Sequence, residues 1–172
     1  MSERRSSLEE ARERIVREHV AAEERGDWDA ALATFARPRY EIIATSEVHD
    51  GGAAVRDFYG ETRRAFAELT FETTALRHAE DSVLAEVTFI AVHAGMWRGL
   101  PATGRRLRYS MLNVFLFEED RLVCERMYFD LLTPLRQIGV ARDPLSVTGK
   151  VAMAINHPVV VAGAFLRSVV GR

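Results

Sequence analysis

From Leu69 onward apolar residues recur at every second position, and this change of period constrains the fold more than any other feature of the chain. Side chains alternate across a strand, so a period of two marks strands with one face on a core. The pattern predicts strands over residues 70–79, 83–93, 105–117 and 122–130. Ala79-Glu80-Asp81 and Glu118-Glu119-Asp120 are short polar connections, so consecutive strands pair antiparallel. In the two longest strands parity separates the faces. Val83, Ala85, Val87, Phe89, Ala91 and His93 share one face; Leu107, Tyr109, Met111, Asn113, Phe115 and Phe117 share another, with Asn113 as its interior polar exception.

The earlier part of the chain has a helical period. Ser7-Leu8-Glu9-Glu10 has the form of a capping box, so a helix is expected from Leu8, with Leu8, Ala11, Ile15, Val16 and Val20 on one face and Gly26 as its stop. Asp27 caps a second helix that turns Trp28, Leu32 and Phe35 inward, and Pro38 ends it. Residues 40–44 read as a short strand and 45–52 as a turn. A third helix presents Val55, Phe58, Tyr59, Thr62 and Phe66 as an aromatic stripe. Helices followed by a long-stranded sheet predict an α+β fold, a curved antiparallel sheet with helices on one face around an apolar pocket. A chain of 172 residues suffices for one core. The domain is placed at residues 1–140 and an appended helical tail at 141–172, broken at Asn156-His157-Pro158.

The last strand carries the candidates for chemistry. Taking Leu122, Cys124, Arg126, Tyr128 and Asp130 as its inner set brings a carboxylate, a phenol and a guanidinium together. Two plainer roles compete for Asp130: a weak surface ion pair, or the N-cap of a helix over residues 131–139. Thr133-Pro134 is itself a good helix start, which would free Asp130. Asn113 is a satisfied core amide or a ligand contact. His93 is hydrogen-bonded at a strand end or lines the pocket mouth, and Trp97 packs on the third helix or lids the pocket.

Met96-Trp97-Arg98-Gly99-Leu100-Pro101-Ala102-Thr103-Gly104-Arg105, followed by Tyr128-Phe129-Asp130 and Leu135-Arg136-Gln137-Ile138-Gly139, resembles the SnoaL-like polyketide cyclases of the nuclear transport factor 2-like superfamily. The resemblance runs from about Ile15 to Gly139, including Glu41-Ile42-Ile43-Ala44 and Asp50-Gly51-Gly52. It implies a cone-shaped sheet wrapped around helices, an internal pocket, and a homodimer across the outer sheet face. It also implies that an aspartate ending the last strand is the acid/base of an intramolecular aldol closure. Asp130 matches that position, and Tyr128 stands where characterised cyclases typically have a histidine. Such chemistry needs a carboxyl pKa well above ~3.9; burial among Phe89, Tyr109 and Phe115 would raise it and Arg126 would oppose. Tyr128 or Asn113 would donate to the oxyanion, and Tyr59, Phe89, His93, Trp97, Tyr109, Asn113 and Phe115 would line the pocket. Limonene epoxide hydrolase, of the same superfamily, uses two aspartates bridged by an arginine; the inner faces above offer Arg126 and Asp130 but no second carboxylate.

The expected function is therefore a cyclase- or isomerase-type enzyme for a hydrophobic carbonyl-containing metabolite. The alternatives are a non-catalytic binder of a hydrophobic ligand and, behind it, an epoxide hydrolase. A net charge of -2, from 25 acids and 23 bases, gives no electrostatic footing for nucleic acid. His19, His49, His78, His93 and His157 lack paired metal-ligand spacing, and Cys124 stands alone, so no metal is expected. No phosphate-binding glycine motif, serine elbow or dinucleotide fingerprint calls for a cofactor. Charged residues 1–14 lack the apolar core of a secretory signal, which with the lone cysteine points to the cytoplasm. The tail has Lys150, Arg167 and Arg172 and no acid after Lys150; packing on the domain or a dimer partner is expected rather than membrane contact.

Overall fold

In the computed structural model, which describes residues 2–170, the change of period becomes the boundary between a helical layer and a sheet. Helix α1 (Ser2–Arg25) starts ahead of the expected capping box, because the flanking Glu and Arg residues are good helix formers and Ser7 is absorbed into the helix. Gly26, at φ +70°, turns the chain into α2 (Trp28–Ala33), whose first turn is capped by Asp27 through Ala30 N–H at 3.1 Å.

Strands β1 (Arg39–Ile42) and β2 (Glu47–Asp50) form a hairpin through a 3-10 turn at Ile43–Thr45. β2 occupies the segment expected as a turn; its polar composition is that of an edge strand with one face in water. Helix α3 (Gly52–Ala65) leads into β3 (Phe66–His78), β4 (Ser82–His93), β5 (Arg106–Glu118) and β6 (Arg121–Phe129). The six strands run in the order β2-β1-β6-β5-β4-β3. β1 lies parallel to β6, so the sheet is mixed rather than antiparallel throughout; the long intervening chain supplies the crossover that parallel pairing needs.

The inner faces read from parity in β4 and β5 are buried along their whole length, from Val83 to His93 and from Leu107 to Phe117. β6 departs from its expected parity. Phe117 pairs with Leu122, but Leu116 pairs with Cys124, and the ladder passes over Val123. One extra residue in a strand sends every later side chain to the opposite face. Beyond this bulge Glu125, Met127 and Phe129 face the helices, while Arg126 and Tyr128 face outward, Tyr128 being 40% exposed.

The loop after β4 passes close to the end of α3. Ala94 and Gly95 N–H both donate to the Ala65 carbonyl, and a Cβ on Gly95 would lie 2.1 Å from the Arg64 carbonyl oxygen. Gly95→Ala is therefore expected to displace the Trp97 loop and lower stability by roughly 1–3 kcal/mol in urea unfolding.

Helix α4 (Leu132–Gln137) is tied to β5 by Gln137, whose side chain bonds both the N–H and the carbonyl of Arg108. After it come α5 (Val147–Asn156) and α6 (Pro158–Val170), bent by 107° at His157. Among the described residues no single helix is long and apolar enough to cross a membrane.

Candidate active site

The bulge in β6 brings Glu125 into the interior against α1, and there it meets a polar cluster. Of the expected stripe of α1 only Val16 is buried, Leu8, Ala11, Ile15 and Val20 being half-buried; the buried line runs through Arg12, Val16 and His19 at i, i+4 and i+7, with the half-buried Glu23 one turn further on. Arg12 fixes α1 to the hairpin turns, donating to the carbonyls of Glu119 at 2.6 Å and Glu80 at 2.9 Å. His19 lies at the centre, fully buried.

Its Nε2 is 2.7 Å from the Tyr40 hydroxyl, which donates its own proton to Glu23 Oε1 at 2.5 Å. Its Nδ1 is 2.7 Å from Thr34 Oγ1, whose proton goes to the Ala31 carbonyl. Both neighbours thus present an oxygen already spent as a donor, so both imidazole nitrogens carry protons and the ring is an imidazolium. Carboxylate oxygens of Glu23 and Glu125 each stand 3.3 Å from Nε2. Burial pulls His19 down, but the charges of Glu23 and Glu125 outweigh it and push its pKa from 6.5 to about 10. Burial in turn raises the Glu125 carboxyl above the usual carboxylate range. Tyr59 O–H donates to Tyr40 at 3.1 Å and stacks on Trp28.

His19, Glu23 and Glu125 have ligand atoms within 4.8 Å of one another, the spacing of a metal site. An imidazolium has no free lone pair, so as protonated here the set is a proton-holding cluster.

Among the described residues three buried atoms on the inner faces of β4, β5 and β6 make no hydrogen bond: Glu125 Oε2, Asn113 Oδ1 and His93 Nε2. Asn113 sits diagonal to Glu125, because it pairs with Met127 while Phe115 pairs with Glu125. Around them rings pack in contact, Phe89 stacked on Tyr109 at 4.8 Å and Phe115 edge-on to His19 at 5.8 Å. A cleft of about 570 Å³ opens nearby, lined by His49, Phe58, Met96, Trp97 and the Glu47–Arg98 ion pair among others. Phe58 is the partition: it touches the cleft on one side and the Tyr40 ring, 5.5 Å away, on the other.

Residues 13–138, well over half of the chain, match the family model described as SnoaL-like polyketide cyclase. The chain belongs to this family. TsrD from Streptomyces laurentii is similar in structure, with 24% identity, a TM-score of 0.66 and coverage of 76% of this chain and 96% of that one. IdmH from Streptomyces antibioticus has 20% identity, a TM-score of 0.63 and coverage of 74% and 98%. A protein with a ketosteroid isomerase-like fold from Catenulispora acidiphila has 19% identity, a TM-score of 0.62 and coverage of 74% and 93%. At these identities the likeness is one of fold. No curated protein matches the chain in sequence.

In this SnoaL-like chain the catalytic trio expected at the end of the last strand does not assemble in the interior. Asp130 is exposed; its Oδ1 accepts from Leu132 N–H at 2.9 Å and its Oδ2 from Thr133 O–H at 2.6 Å, so it caps the turn into α4 that Thr133 was expected to cap. Those bonds, the Thr133 hydroxyl first, hold its carboxyl below the usual range, opposite to what a proton carrier needs. Arg126 sits outside and donates to Glu41 at 2.5 Å across the β1–β6 pair. Of the residues expected to line a pocket only Trp97 borders the cleft; the others are packed into the core. Tyr59, Phe89, Tyr109, Asn113 and Phe115 all point inward, as does His93, whose Nδ1 is 3.1 Å from Thr103 Oγ1. Trp97 packs on Phe66 and also lines the cleft. Sequence reading passed over His19, Glu23, Tyr40 and Glu125; the one available signal was His19 and Glu23 at i, i+4 beside Val16.

Proposed function

We propose that this SnoaL-like protein is a cyclase- or isomerase-type enzyme that removes and returns a proton next to a carbonyl of a hydrophobic metabolite, with Glu125 as the proton carrier. The observation that carries the reading is a single one: Glu125 is a fully buried carboxylate with a raised proton affinity, whose Oε2 faces the His19 ring at 3.3 Å as an ion pair and takes no hydrogen bond. His19, Tyr40 and Glu23 supply the hydrogen-bonded chain through which the proton is held. The Asn113 amide, on the same face, donates to the developing oxyanion. The cleft receives the substrate with its apolar part against Phe58, Met96 and Trp97, and Phe58 turns aside to admit the carbonyl to the cluster.

Deuterium uptake tests this without knowledge of the natural substrate. A panel of aryl ketones and 1,3-dicarbonyl compounds is incubated with the protein in D₂O and exchange beside the carbonyl is followed by NMR. Wild type accelerates exchange of at least one compound, Glu125→Gln does not, and Asp130→Asn stays within about twofold of wild type. Tight binding without any exchange would replace this reading with that of a hydrophobic-ligand binder.

A second reading has one observation in its favour. Glu23, His19 and Glu125 place a cation between two carboxylates, an arrangement like the one used in epoxide hydrolysis and absent from the inner faces expected from alternation. Incorporation of ¹⁸O from water into a diol product would support it. The reading also includes a homodimer across the outer sheet face, where Leu112, Val114 and Leu116 are half-exposed; sedimentation velocity measures it.

A further inference from the structure

The tail presents apolar side chains to water instead of packing them. Val159, Val160, Phe165 and Leu166 of α6 are 83%, 66%, 69% and 67% exposed, and Val151 and Ile155 of α5 are exposed with them. We propose that α5 and α6 dock on an anionic lipid surface.

Three features select that occupant. At about 100° per residue the four α6 side chains point to roughly 0°, 100°, 240° and 340° around the axis. A second copy or a helical partner covers one stripe of a helix, whereas a helix apolar on all sides needs a surrounding apolar medium. Charge is the second feature. No acid occurs after Asp143, while Lys150, Arg167 and Arg172 are basic, which complements anionic headgroups. Lys150 lies near the start of α5 and Arg167 near the end of α6, where long side chains can reach back to the headgroups. Length is the third. A 13-residue α6 spans about 20 Å, short of the ~30 Å hydrocarbon core, and the 107° bend keeps α5 from extending it. The pair therefore lies within one leaflet.

The test uses the full chain, co-sedimented with phosphatidylcholine vesicles with or without phosphatidylglycerol. Wild type pellets with the anionic vesicles. Lys150→Gln with Arg167→Gln weakens that partitioning by roughly 30-fold, and Val160→Asp with Phe165→Asp abolishes it. All four side chains are exposed, and an unchanged melting temperature shows that each variant keeps its fold. Wild type left in the supernatant with both vesicle types overturns the proposal, as does equal pelleting on neutral and anionic lipid. A lipid-indifferent dimer that Val160→Asp with Phe165→Asp splits overturns it in favour of a second copy.

Discussion

Replacing His19 with alanine is expected to destabilise the protein by about 3–5 kcal/mol, read from urea or guanidinium unfolding. The substitution removes the only positive charge from a buried cluster that keeps Glu23 and Glu125, and it takes a ring out of contact with Phe35 and Phe115. Two carboxylates then face each other in a low dielectric without a cation, and a cavity remains. Wild type should show the same cluster through pH. The folded-state pKa of His19, about 10, lies above its ordinary 6.5, so the folded chain binds the extra proton between these values and the unfolded chain does not. Its stabilising contribution is complete below pH 6.5 and is lost as pH rises to about 10. Glu125 acts with the same sign at lower pH, since its pKa is also raised: its contribution is present below about 4.5 and fades as pH rises through the folded value. Cys124, raised by burial to about 11, adds to the decline above pH 9. Unfolding free energy should thus fall steadily from pH 6.5 to 10 in wild type, and this slope should be much reduced in His19→Ala. A flat profile in wild type would mean that the buried ring is neutral.

Glu125→Gln is expected to slow proton exchange beside the carbonyl by about 10²- to 10⁴-fold, the usual contribution of a positioned acid/base group. The amide has the shape of the carboxyl, and Glu23 remains as the counter-charge of His19, so the variant should fold with a melting temperature close to that of wild type. Removing one of two neighbouring carboxylates relieves repulsion and offsets part of the lost attraction to the imidazolium. Loss of exchange in a folded Glu125→Gln, beside retained exchange in Asp130→Asn, assigns the chemistry to the interior. Full exchange in a folded Glu125→Gln would make the cluster a structural one.

The contrast between Asp130 and Glu125 shows where sequence reading stops. Both are carboxylates of the last strand or its end, and strict alternation selects the set containing Asp130. A bulge at Val123 reverses that choice, and it is visible only in how β6 pairs with β5. Asp130 is then held by its own neighbours Leu132 and Thr133. The same applies to α1. Val16 of the expected apolar face is buried, yet beside it Arg12 and His19 are buried where Ile15 and Val20 are not, because Tyr40, Glu125 and the hairpin turns provide partners that no local pattern displays.

What the sequence by itself determined is what depends on near neighbours. The inner faces of β4 and β5 follow from alternation, the start of α2 from Asp27, and the apolar, acid-free character of the tail from composition. Tertiary structure alone decided which polar groups are buried together. Burying His19 with Glu23 and Glu125 is favourable only when three distant segments bring charge and hydrogen bonds to one point, and that balance exists nowhere along the chain until β6 is bulged and α1 lies across it.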